Sequence, residues 1–191
     1  MSFSLRKTPV RSERRTTWRV VLGGVPAMDG LVALAAAAAL ARDKSDDEST
    51  ETRRLSGRLV GNFSTTAPAP LLTLADSVSG NTEGLGKVTG SFTVTIDFNH
   101  PVANGFVLVS KTGSLVAANG DQINLAMVGT FNVTTFDVHY VFVVTGGTGR
   151  CAGATGNGTW DVPPPSAFDP NTVSGSGTES LRGTITLPQG N

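Results

Sequence analysis

From Leu55 towards the C-terminus, apolar and polar residues alternate, and glycines interrupt the alternation at short intervals. The clearest run is Lys87–Phe98, where Val88, Phe92, Val94, Ile96 and Phe98 fall on one side and polar residues on the other. A period of two is typical of a strand with one buried face, whereas an amphipathic helix repeats every 3.6 residues. No helical stretch follows residue 55, so the pattern predicts an all-β domain.

Eight strands are predicted by this alternation and by the turn residues between its runs. They are Gly57–Phe63, Lys87–Phe98, Phe106–Ser110, Ser114–Ala118, Ile123–Phe131, Thr134–Thr145, Thr155–Val162 and Thr178–Leu187. Regular spacing and glycine-rich connections favour a single closed antiparallel eight-stranded β-barrel, because closure leaves no free edge to aggregate. Such a barrel either encloses one small ligand or fills its interior with its own side chains. We expect loops at Ala67–Pro70 and at Pro163–Pro170, the second long enough to cap a barrel mouth.

The glycine-rich stretch Val141–Trp160 is compatible with two different structures. Thr145–Gly149 follows an apolar run, and Ala152 lies three residues beyond Gly149, as in a dinucleotide-binding turn. That turn requires a helix next, but glycines recur through residue 158 and each costs a helix about 1 kcal/mol relative to alanine. The stretch is therefore predicted to be a turn between two strands, and no nucleotide is expected.

Composition excludes several other functions. From Ser56 onward the chain has eight acidic and five basic residues, which argues against nucleic-acid binding. The single cysteine, Cys151, excludes an internal disulfide, and with only His100 and His139 no metal site is expected. Cys151 is predicted to be buried. No cofactor is therefore expected, and the sequence leaves open whether the chain forms a homo-oligomer.

The N-terminal segment 1–41 has the layout of a secretory signal peptide. Six Arg and Lys residues precede the apolar run Val20–Ala41, which ends in Ala-Leu-Ala. Export to a periplasmic or extracellular location is the expectation, while a helix belonging to a cytoplasmic protein, or translation from Met28, is the alternative. A stable membrane span is not expected, because Asp29 interrupts the apolar run. The charged segment 42–55 is predicted to be a disordered linker, which leaves 56–188 as the folded domain.

Three short segments resemble the allene oxide cyclase and dirigent superfamily. They are TGGTGRCAGATG at Thr145–Gly156, AANGD at Ala117–Asp121, and Leu85–Lys87 at the start of a long strand. The resemblance covers about residues 56–188, although Cys151 stands where an aromatic residue is usual. It implies an eight-stranded barrel, either a cofactor-independent cyclase or isomerase acting on an apolar substrate or a dirigent-type protein that controls stereochemistry. Catalysis in such barrels comes largely from fixing a reactive conformer.

Candidate ligand-binding residues are those on the apolar faces of the two longest predicted strands. They are Val88, Phe92, Val94, Ile96, Phe98, Phe136, Val138 and Phe142, with Trp160 joining them. Tyr140 lies on the same face and is a candidate hydrogen-bond donor to a ligand oxygen.

Glu179 is the most informative charge, because it falls on the apolar face of the last predicted strand. It could lie at a barrel mouth and act as an acid or base, or occupy a rim position open to water. Asp137 and His139 share the opposite face of their strand and are expected to face solvent. No G-x-S-x-G motif occurs, so serine hydrolase chemistry has no support. The sequence therefore predicts a barrel enclosing a small apolar molecule, with a non-catalytic or filled barrel as the alternative.

Overall fold

A computed structural model describes residues 50–103 and 105–189. It contains nine strands and one short 3₁₀ turn at Gly149–Cys151. The strands are β1 (Thr50–Ala67), β2 (Leu71–Glu83), β3 (Gly86–Ala103), β4 (Phe106–Ala117), β5 (Gln122–Asn132), β6 (Val138–Thr148), β7 (Thr155–Val162), β8 (Ala167–Asp169) and β9 (Ser174–Pro188). The predicted export segment 1–41 and residues 42–49 of the predicted linker lie outside the described residues. Within the described part, no helix is long and apolar enough to cross a bilayer.

The strands form a closed antiparallel barrel, as predicted. β1 to β7 pair in chain order, and β9 pairs with both β7 and β1. The β1–β9 seam is long, running from Thr50 opposite Pro188 to Phe63 opposite Gly175. The three-residue β8 adds only to the end of β9, so eight strands make the wall.

The predicted number of strands is right, but two errors cancel within it. β2, from Leu71 to Glu83, was not predicted at all. β4 was predicted as two strands joined at Thr112-Gly113, whereas it runs unbroken from Phe106 to Ala117. Gly113 is not a turn residue: a Cβ there would overlap Phe92 and the carbonyl oxygen of Ser91 on the paired strand. Glycine is therefore needed for close packing in the middle of β4.

Several predicted boundaries also move. β1 begins at Thr50, so the last six residues of the predicted linker are paired with β9. β3 continues past Asp97 with two register shifts, one on each side of Pro101. β6 begins at Val138 rather than Thr134, and the predicted loop at Pro163–Pro170 contains β8.

The glycine-rich stretch folds as a turn between β6 and β7. Gly149 and Gly153 have φ values of 61° and 72°, in the left-handed region that favours glycine. The carboxylate of Asp121, in the β4–β5 connection, accepts the backbone N–H of Arg150 at 3.0 Å and its Nε–H at 2.6 Å. Cys151 is buried, as expected, and burial raises the pKa of its thiol. A three-residue 3₁₀ turn stands where a dinucleotide site would need a helix.

Successive connections of an antiparallel barrel alternate between its two ends. The end formed by the β2–β3, β4–β5 and β6–β7 connections is filled with side chains, among them Leu55, Leu115, Ile123 and Ile185, each fully buried. The opposite end carries the β1–β2, β5–β6 and β7–β9 connections and is hollow. The alternatives of a filled and a hollow barrel therefore each describe one half of the molecule.

Candidate functional site

The hollow half of the barrel contains a cavity of about 600 Å³. Its wall is mostly apolar and includes Leu74, Val94, Ile96, Val138, Val162 and Val173. The β7–β9 connection contributes Pro163, Pro165 and Phe168 to the lining, so the loop predicted to cap a mouth does border it. A volume of 300–1,000 Å³ is usual for small-molecule sites.

Five phenylalanines form a connected series around the mouth of this cavity. Ring centroids are 6.4 Å apart for Phe98–Phe131, 5.9 Å for Phe131–Phe136, 5.7 Å for Phe136–Phe168 and 6.4 Å for Phe63–Phe168. Phe136 reaches this position from the β5–β6 connection, with a φ of 64°. It was predicted as a strand residue, and the structure places it in a turn, at the mouth. The rings make the entrance apolar on several sides.

Three charged side chains meet at the floor of the cavity. Lys111 Nζ lies 2.6 Å from Asp76 Oδ2 and 2.7 Å from Glu179 Oε2. All three residues are buried: Lys111 is 1% exposed, Asp76 4% and Glu179 5%. Ion pairs in such a setting are far less screened by water than surface pairs. We call Asp76, Lys111 and Glu179 the floor cluster.

Strand alternation explains how three distant residues meet. Asp76 follows Leu72 and Leu74 on the inward face of β2, and Lys111 follows Val107 and Val109 on the inward face of β4. Glu179 is placed inward on β9 in the same way, two residues before Leu181. Each charge thus occupies a position where the alternation would place an apolar residue.

Aromatic side chains hold the floor cluster from the filled side. Trp160 is fully buried and donates its indole Nε1–H to Glu179 Oε2 at 2.5 Å. Lys111 Nζ lies 4.5 Å from the Trp160 ring centroid and 4.8 Å from that of Phe92, within the range of cation–π attraction. The two rings pack edge to face, 5.5 Å apart. The lysine ammonium is therefore enclosed by two carboxylates and two rings.

The carboxylates are only partly satisfied by this arrangement. Asp76 Oδ1 is buried and has no hydrogen-bond partner in the described structure. Among the described residues, both hydrogen bonds to the Glu179 side chain go to Oε2, which leaves Oε1 without one. Burial raises the pKa of Asp76 most strongly, the Lys111 ammonium opposes that rise, and the Glu179 charge adds to it. Asp76 and Glu179 both line the cavity.

Tyr140 also lines the cavity, where its strand partner is Trp160. Its pKa is raised well above the usual value, first by burial and then by the charges of Glu179 and Asp76. The phenol therefore stays protonated at neutral pH and can donate a hydrogen bond.

The predicted site residues divide between the two halves of the barrel. Those that line the cavity are Val94, Ile96, Phe98, Phe136, Val138, Tyr140 and Glu179. Val88, Phe92, Phe142 and Trp160 lie instead in the filled half, because the faces that carry them continue past the cavity floor. Glu179 is neither at the mouth nor on an open rim, since it is 5% exposed at the floor.

Sequence reasoning missed Asp76 and Lys111. The signal that singled out Glu179, a charge on an alternating apolar face, was present at both positions. Asp137 and His139 lie outside the barrel as expected, where His139 Nδ1 is 2.9 Å from Asp161 Oδ1 and its Nε2 is 3.2 Å from Asp137 Oδ2. The Asp161 hydrogen bond is the main reason that the pKa of His139 is raised.

The fold is similar to that of a solved dirigent structure. No protein-family model and no curated protein sequence matches the chain. The structure is similar to that of the pterocarpan synthase dirigent protein GePTS1, with a TM-score of 0.47 and 10% sequence identity over 76% of this chain and 90% of that chain. The barrel itself is established by its strand pairings, and the site by its own geometry.

Proposed function

We propose that this barrel binds one small, mostly apolar molecule in the cavity above the floor cluster. The observation that carries the proposal is an apolar cavity of about 600 Å³ whose floor includes the buried carboxylate of Asp76, one oxygen of which has no hydrogen-bond partner in the described structure. The interior of the other half of the same wall is occupied by buried side chains, so the hollow half is not a general consequence of the fold. An unsatisfied buried acceptor costs about 1–3 kcal/mol, which a ligand with a suitable polar group offsets.

A fluorescent hydrocarbon tests this proposal directly. Diphenylhexatriene should bind the full-length chain with a large increase in emission, because the wall of the cavity is mostly apolar. Val94→Trp, which points a large ring into the cavity, should weaken binding by at least about tenfold. Thr93→Trp is the matched control, because Thr93 is the adjacent residue on the outer face of β3. Equal binding by the two variants, or none by the wild type, contradicts the proposal.

A second candidate function is cofactor-independent isomerisation or cyclisation of the bound molecule. It is favoured by the proximity of Asp76, Glu179 and Tyr140, three groups able to exchange protons, to a cavity that restricts conformation. Native mass spectrometry of protein purified without detergent from its source identifies a bound molecule. Incubating that molecule with the protein in D₂O then separates the two functions, since an isomerase that moves a proton incorporates deuterium and a binding protein does not.

A further inference from the structure

We infer that the molecule bound in the cavity is an apolar amine, whose ammonium group lies at the floor beside the carboxylates of Asp76 and Glu179. This inference rests on the proposed function and specifies the chemical class of the ligand. It follows from three observations about the described residues: the charge of the cavity, the hydrogen-bonding capacity left open at its floor, and the aromatic ring of Tyr140 near that floor.

The described lining of the cavity carries a formal charge of −1. Asp76, Glu179 and Lys111 are the only charged side chains among the described residues that line it, two negative and one positive. A buried charge without a counter-ion is costly, and pairing is the usual remedy. A ligand with one positive charge would bring the cavity to neutrality, while a neutral ligand would leave the excess charge in place.

The open hydrogen-bonding capacity at the floor is that of acceptors. Lys111 already makes ion pairs with both carboxylates, and its ammonium lies over the Phe92 and Trp160 rings. The lysine is therefore engaged and is a poor binding group for an anionic ligand. Asp76 Oδ1 and Glu179 Oε1 have no partners, so the floor is suited to a donor.

The wall favours a cation over a neutral donor. Tyr140 lines the cavity near the floor cluster, where the charges of Glu179 and Asp76 help to raise the pKa of its phenol, and aromatic rings attract ammonium groups. A neutral alcohol would satisfy an acceptor but gain little from this ring or from the net charge. The alternative is that Asp76 neutralises itself by holding a proton, a direction in which its burial pushes its pKa. In that case an alcohol and an amine would bind alike.

Three ligands of one shape and different charge distinguish these cases. The probes are 4-(biphenyl-4-yl)butan-1-amine, the corresponding alcohol and the corresponding carboxylic acid, each titrated calorimetrically into the full-length protein at pH 7. We expect the amine to bind at least about tenfold more tightly than the alcohol, as a charge-assisted hydrogen bond is stronger than a neutral one. The acid should bind most weakly.

Two substitutions, each of which removes one negative charge from the floor cluster, test whether the preference for the amine arises there. Asp76→Asn and Glu179→Gln each remove the excess negative charge while keeping an oxygen that accepts from Lys111. Either variant should reduce the preference for the amine over the alcohol to about twofold or less, with little change for the alcohol. Glu83→Gln is the control, because Glu83 lies on the same strand as Asp76 but is exposed and does not line the cavity. If one floor variant fails to fold, the other and the wild-type comparison decide.

Each outcome separates the inference from the proposed function. Equal binding of amine and alcohol, or tightest binding of the acid, overturns the amine assignment and leaves a ligand-binding barrel. A preference for the amine that survives both floor variants also overturns it, because the charge would then be recognised elsewhere. Failure of all three probes and of diphenylhexatriene to bind overturns the proposed function together with the inference.

Discussion

Lys111→Met is the substitution that tests the floor cluster most severely. Methionine retains much of the lysine stem and removes the charge, so the packing of the side chain changes little while two buried carboxylates lose their counter-ion. Asp76 and Glu179 are only 4% and 5% exposed, so water is a poor substitute for the ammonium that lies 2.6 Å and 2.7 Å from them. Removing one partner of a buried ion pair costs about 3–5 kcal/mol. We expect a loss of that size in the free energy of unfolding.

Urea denaturation followed by far-ultraviolet circular dichroism measures this loss. Lys87→Met, at an exposed position on β3, is the matched control and should change stability by less than about 0.5 kcal/mol. Restoring charge balance in the triple variant Asp76→Asn/Lys111→Met/Glu179→Gln should recover at least half of the loss, because no uncompensated charge then remains. A loss below about 1 kcal/mol for Lys111→Met, or a triple variant less stable than the single one, would refute the reasoning.

Two further predictions concern the floor and the outer surface. Gly61→Ala should destabilise the protein by about 1–3 kcal/mol and weaken diphenylhexatriene binding, because a Cβ at residue 61 would overlap the Glu179 carboxylate. Gly177 is paired with Gly61 on β9, and Gly177→Ala should have less than half the effect of Gly61→Ala. Equal effects of the two variants would contradict this prediction. The pKa of His139 measured by NMR should lie above the unfolded value of about 6.5. The stabilisation that protonated His139 provides is therefore complete below about pH 6.5 and is lost as the pH rises through the pKa of the folded state. Asp161→Asn should lower that pKa, and no change would show that the hydrogen bond is not its cause.

The fold was predictable because its strongest signal is local. Alternation in Lys87–Phe98 and around Tyr140 identifies inward faces correctly, and the glycine-rich connections favoured closure, although the predicted number of strands was right only because two errors cancelled. How far the barrel is filled was not predictable. The filling of the barrel depends on which side chains meet across its interior, and strand alternation does not give this. For example, Phe92 and Val94 lie on the same face of β3, but only Val94 lines the cavity.

The missed strand β2, the division of β4 and the missed site residues are connected. Asp76 interrupts the apolar face of β2, and in β4 Lys111 precedes Thr112-Gly113, which was interpreted as a turn. Two members of the floor cluster therefore lie where the apolar alternation is interrupted. A charge flanked at two-residue intervals by apolar residues is therefore better interpreted as an inward-facing polar group than as the end of a strand. Applied to the acidic and basic residues that the structure describes, with glycine counted as apolar, that rule gives Asp76, Lys111 and Glu179 together.

Stability alone gives no reason to keep such a cluster. A buried ion pair is often matched or exceeded in stability by apolar residues of similar volume, and the filled half shows that this wall accommodates them. The cluster also leaves Asp76 Oδ1 unsatisfied, which adds a further cost. The arrangement does supply rigidity. Trp160 and Phe92 hold the Lys111 ammonium from the filled side, and the ammonium holds both carboxylates. One oxygen of each carboxylate is then without a hydrogen-bond partner among the described residues. Polar groups held in advance at the end of an apolar cavity lose little freedom when a ligand binds, so under the proposed function their cost to folding contributes to affinity for the ligand.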